Sequence, residues 1–98
     1  MQTGKILQSL DTIESTIRTH KKDEIETSHK TIKDEIYKIQ HSTNDTIVIE
    51  LIFRVYYDWK VYSGQLGNNG FTSGRQIELE SIFNDCSSIR AHLTRYRT

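Results

Sequence analysis

The chain has 98 residues, 35% of them hydrophobic and 27% charged, with thirteen basic side chains balancing thirteen acidic ones. That length gives one domain, residues 1–98, and a core small enough that self-association or a partner is expected to complete it. A neutral total argues against wholesale binding to nucleic acid or an anionic membrane, a single cysteine rules out an internal disulfide, and no apolar run approaches membrane length or forms a secretory h-region, so the chain reads as cytoplasmic.

Proline is absent, and four of the five glycines fall between Gly64 and Gly74. Helix breakers are therefore concentrated in one place. In the first segment Ile6, Leu10, Ile13 and Ile17 are spaced by four, three and four, which is one face of a helix. Ile25, Ile32, Ile36 and Ile39 repeat the pattern in another phase. The stripe breaks between Ile17 and Ile25, and the spacing predicts a helical hairpin over 4–41 that turns at "THKKD", with Asp23 or Thr19 capping the second helix. A single helix is the alternative, because "KDEI" recurs after eleven residues, three turns of helix.

That repeat lies in "HKKDEIETSHKTIKDEI", His20 to Ile36, where histidines and carboxylates invite a metal-site reading. His20, His29 and His41 would lie roughly 13–18 Å apart on a straight helix and cannot converge. The stretch reads instead as a solvated face laced by i,i+4 pairs such as Glu26–Lys30, Lys30–Asp34 and Asp34–Lys38, each worth a few tenths of a kcal/mol. No metal and no cofactor is expected.

"TIVIELIFRVYYDWKVY", Thr46 to Tyr62, carries two conflicting signals. Its isoleucines, valines and aromatics favour strand, and its odd positions are apolar throughout. Yet Glu50, Arg54 and Asp58 recur every four residues, as a polar stripe on a helix would. The charge period and the length favour a helix near 45–64, buried on most sides. "SGQLGNNGFTSG", residues 63–74, is a glycine-rich loop, with Gly64 or Gly67 ending one helix and Thr72 or Ser73 capping the next. The runner-up fold is α+β, with a hairpin around Asn69-Gly70. In the last segment Leu79, Ile82, Cys86, Ile89, Leu93 and Tyr96 alternate spacings of three and four, with Phe83 widening the face, so a bundle or coiled-coil seam is expected from about 73 to 97. The fold class that follows is all-α, a small antiparallel bundle of about four helices.

Two groups of residues are candidates for function. Glu50, Arg54, Tyr56, Tyr57, Asp58, Trp59 and Tyr62 combine charge with tyrosine, tryptophan and arginine, the residue types enriched at binding hot spots. Arg90, Arg95, Tyr96 and Arg97 form a basic, aromatic end suited to phosphate, though arginines at a helix C-terminus also complement the macrodipole without any ligand. Catalytic residues are not expected: Cys86 sits on an apolar seam, and neither a GxSxG elbow nor a P-loop is present. The reading is a non-enzymatic protein-binding module, an inhibitor or immunity-type protein or an adaptor, with a protein partner or itself as ligand. A nucleic-acid or nucleotide binder using the arginine-rich end is the alternative.

Overall fold

The computed structural model describes residues 2–19, 22–63 and 76–95. They form four helices: α1 (Thr3–Thr19), α2 (Ile25–Gln40), α3 (Thr46–Tyr62) and α4 (Gln76–Thr94), with a short 3-10 turn at Lys22–Glu24 before α2. There is no strand among the described residues, and the α+β alternative is not supported. The Asn69-Gly70 turn and the cap positions Gly64, Gly67, Thr72 and Ser73 lie outside the described residues.

Each helix packs on its sequence neighbour, and α4 packs back on α1. Contacts between the helices fix an alternating direction. Ser81 near the start of α4 bonds Asp58 near the end of α3, while His92 near the end of α4 meets Asp45 just before α3. Arg90 of α4 reaches Asp11 of α1, and Arg18 at the other end of α1 lies 4.7 Å from the centre of the Phe83 ring. The result is an antiparallel up-down-up-down bundle.

The apolar spacings of the sequence become its core. Ile6, Leu10, Ile13 and Ile17 from α1, Ile32, Ile36 and Ile39 from α2, and Ile82, Cys86, Ile89 and Leu93 from α4 are all buried, with Ile25 and Leu79 half-buried at the margin. The fourth wall is Val48, Ile52, Val55 and Trp59 of α3, each fully buried. Their spacing of four, three and four is one helical face.

The helix ends differ in part from expectation. The break in the first stripe is a turn between two helices, but α2 begins after Glu24, which makes no side-chain capping bond, rather than at a capping Asp23 or Thr19. α2 ends without glycine: the amides of His41 and Ser42 bond back to Tyr37 O at 3.1 Å and Ile39 O at 3.0 Å. The Ser42 hydroxyl donates to Lys38 O. Ser42 O in turn accepts from the Gln2 amide, which ties the start of α1 to the end of α2. α3 ends at Ser63, whose amide donates to Trp59 O at 2.8 Å.

Asp45 does the most at a helix end. One carboxylate oxygen accepts from the amides of Ile47 (2.9 Å) and Val48 (3.3 Å), two of the orphan donors at the start of α3. The other lies 2.7 Å from His92 Nε2 in the last turn of α4. One side chain thus caps α3 and pins the far end of α4 to it.

Candidate functional site

α3 is not buried on most sides, as its composition suggested. Its inner face carries the Val48–Trp59 row, while its outer face holds large apolar side chains in solvent: Ile47 is 48% exposed, Phe53 55% and Tyr57 59%. Between them stand Glu50 and Arg54, both exposed. An open groove of about 620 Å³ runs along this face, lined by Phe53, Arg54, Tyr57 and Lys60, with Ser81 contributed from α4. Exposed large apolar groups gathered on one helix face, rather than scattered singly, are the mark of a contact surface.

The seven candidates on α3 separate into three roles. Glu50, Arg54 and Tyr57 face outward. Tyr56, Asp58 and Tyr62 are half-buried, with Tyr56 and Tyr62 packed against the core. Trp59 is fully buried and is a core residue, not a surface anchor, which corrects its place in the expected aromatic patch. The sequence held the signal for this: Trp59 continues the four-three-four row from Val48, and Tyr57 does not. Ile47 and Phe53 belong on the outer face and were missed, because as plain apolar side chains they read as core.

Trp59 is fixed by a polar contact as well as by packing. Its indole Nε1 donates to His29 Nδ1 of α2 at 3.1 Å. That bond needs a neutral imidazole with its proton on Nε2, since a protonated ring has no acceptor. Burial, followed by the charges of Lys33 and Lys60, holds the His29 pKa below the usual histidine value. Tyr56 stacks on the same imidazole, and Lys60 lies 4.5 Å from the centre of the Tyr56 ring. The aromatic end of α3 is therefore clamped to α2.

The charged stripe is organised across helices rather than along one. Arg54 pairs with Asp85 of α4 at 3.4 Å while its side chain stays 65% exposed. Asp58 accepts a 2.6 Å hydrogen bond from the Ser81 hydroxyl. Burial raises the Asp85 pKa above the usual carboxylate value; Arg54 opposes that rise and Asp58 adds to it. Asp85 Oδ2 is buried with no hydrogen-bond partner among the described residues. The pair Lys38–Glu35, at i,i+3 and 3.1 Å, is likewise not one of the i,i+4 pairs read from the α2 sequence.

At the other candidate site, Arg90 is committed within the fold. It pairs with Asp11 at 2.6 Å and with Glu14, a carboxylate buried between α1 and α4. The hydrogen bond that Arg90 donates to Glu14 raises the already high pKa of the guanidinium, and its charge is locally matched. Arg95 is exposed, and Tyr96 and Arg97 lie outside the described residues. Cys86 is fully buried, and burial, reinforced by Glu14, pushes its thiol up to about 12. A thiol in that state supplies almost no thiolate near neutral pH.

Among the described residues no three histidine, cysteine, aspartate or glutamate side chains cluster to hold a metal ion, and no helix is long and apolar enough to cross a membrane. No family model matches the chain, and neither does any curated protein or solved structure.

Proposed function

We propose that the chain is a non-enzymatic protein-binding module, acting as an adaptor or as a small inhibitor of the immunity type, and that it docks through the outer face of α3. One observation carries this reading: Ile47, Phe53 and Tyr57 stand about half exposed on a helix whose opposite face is fully engaged in the core. A lone chain gains nothing from three large apolar groups in water, whereas an interface gains roughly 25 cal/mol for each Å² of apolar surface it covers. The face is also rigid. The buried Val48–Trp59 row, the Asp45 cap and the clamp on His29 hold α3 from one end to the other. Little conformational entropy is then lost when a partner arrives. Arg54, steadied by Asp85, adds a charged contact that selects among partners. The nucleic-acid reading is weaker because Arg90 of the C-terminal cluster already has two carboxylates on it.

The test compares variants against a purified partner. A protein recovered with the chain from its own cells is purified, and its affinity is measured against Phe53→Asp/Tyr57→Asp and against Arg95→Ala/Arg97→Ala. Loss of about tenfold or more in the first pair, with the second pair within about twofold of wild type, is the expected result. The reverse pattern overturns the proposal and favours a phosphate-binding end.

A further inference from the structure

The outer residues of α3 have an order that goes beyond exposure. Ile47, Glu50, Arg54 and Tyr57 follow one another at spacings of three, four and three. These are the a and d positions of a helix–helix seam, on the face the bundle leaves open. In an antiparallel helix pair each a residue meets a d residue of the partner. The midpoint of Ile47 and Tyr57 is residue 52, and the midpoint of Glu50 and Arg54 is also residue 52. A single two-fold axis at that level therefore brings Glu50 against the partner's Arg54 and Ile47 against the partner's Tyr57 at once.

We infer that the occupant of this face is a second copy of the chain, its α3 packed antiparallel to the first about a two-fold axis at the level of Ile52. The inference rests on the reading of the outer face of α3 as a docking surface and names what docks there. An isologous interface must be complementary to itself, and this seam is: every contact occurs twice, with an ion pair on each side of the axis and an apolar layer beyond each ion pair. Phe53, one residue before Arg54 and close to the axis, is placed to cover the two ion pairs and exclude water from them, which strengthens the attraction between the charges.

The charges also select the orientation. A parallel pairing in register would set Glu50 on Glu50 and Arg54 on Arg54, so the same two residues that attract in one arrangement repel in the other. Neither is consumed within the chain in a way that blocks this. Glu50 is ion-paired to no described residue, and Arg54 gives Asp85 one Nη while most of its side chain stays in solvent. A guanidinium has five donors, so Asp85 can orient it while the partner's Glu50 accepts from the rest. A seam made by one helix from each copy is smaller than the ~800 Å² per partner of a standard stable interface, so the dimer is expected to dissociate in the micromolar range or above.

Charge exchange tests the pairing itself. Sedimentation equilibrium from about 1 to several hundred micromolar should show wild type moving reversibly from monomer to dimer. Glu50→Arg and Arg54→Glu alone should each weaken dimerisation by roughly tenfold or more, because symmetry doubles every repulsion. Two outcomes then support the two-fold seam: the two single variants mixed in equal amounts recover a heterodimer, and the double exchange in one chain recovers a homodimer. Helical circular dichroism verifies that each variant is folded, and Phe53→Ser, which alters no charge, should weaken the dimer as well. Wild type that stays monomeric over the whole range overturns the inference, as do single variants that dimerise like wild type or a mixture that recovers nothing. If wild type is monomeric yet a different protein still binds in a manner lost with Phe53→Asp/Tyr57→Asp, self-pairing is wrong and the docking face stands. If neither contact forms, the reading of the face itself fails.

Discussion

Lowering the pH should loosen this fold through one side chain, His29. The folded protein holds its pKa below the 6.5 of a free imidazole. The unfolded chain therefore takes up the proton first, and stability must fall as pH drops through 6.5 towards and past the folded value. The cost has a visible origin: protonation removes the acceptor for Trp59 Nε1, a bond of 3.1 Å to a fully buried indole. A net hydrogen bond is worth about 1 kcal/mol. For a domain of this size that corresponds to a fall of roughly 4–8 °C in Tm. Trp59 is the only tryptophan, so indole fluorescence reports on the surroundings of this one side chain. Urea unfolding followed at the indole, at pH 7.5 and pH 5.5, measures the loss. The control is His29→Leu, which should be less stable at pH 7.5 but should lack the His29 share of the pH dependence. If wild type and His29→Leu lose the same stability between the two pH values, the clamp does not work as described.

Other consequences follow from single contacts. Asp45→Ala removes a cap and the His92 contact together and should cost roughly 2 kcal/mol by urea unfolding, whereas Asp45→Asn keeps the cap and should cost about half as much. Arg90→Ala leaves Glu14 buried without its cation and should cost roughly 3 kcal/mol, read the same way. Because burial raises the Asp85 pKa, the folded state holds that proton more firmly than the unfolded chain, and the charged form lowers stability as pH rises through the folded value; Asp85→Asn should flatten that part of the pH profile. Cys86 should resist a thiol reagent in the native protein at neutral pH and react fully in urea; rapid labelling of the native state would contradict its placement in the core.

Much of the bundle was legible because its core is regular. The four-three-four row of α1, Ile32, Ile36 and Ile39 of α2, and Ile82, Cys86, Ile89 and Leu93 of the α4 seam fall on buried residues as the spacing required. α3 was the hard case, and its ambiguity has a physical cause. A helix apolar on both its core face and its exposed outer face places isoleucine, valine and aromatics at nearly every position, and so imitates a strand. The four-residue charge period identified the helix, but did not show which aromatics point inward. The Val48–Ile52–Val55–Trp59 row held that information, and it separates the buried Trp59 from the exposed Tyr57 two residues away. Contacts between distant residues left no local trace: Arg90 with Glu14, His92 with Asp45 and Trp59 with His29 depend on how the helices are arranged. For that reason the arginine-rich end read as a free cation cluster when one of its members is a structural tie.

Tyr37 on α2 and Tyr57 on α3 are both tyrosines more than half exposed, on different helices, and they make a matched pair for the central claim. A photoreactive phenylalanine analogue is placed at one position or the other, and the intact chain is irradiated in its own cells. The expected result is a specific adduct from position 57, either to a second copy of the chain or to another protein, with little or none from position 37. Equal adduct yields at the two positions, or adducts from 37 alone, would contradict a docking face on α3.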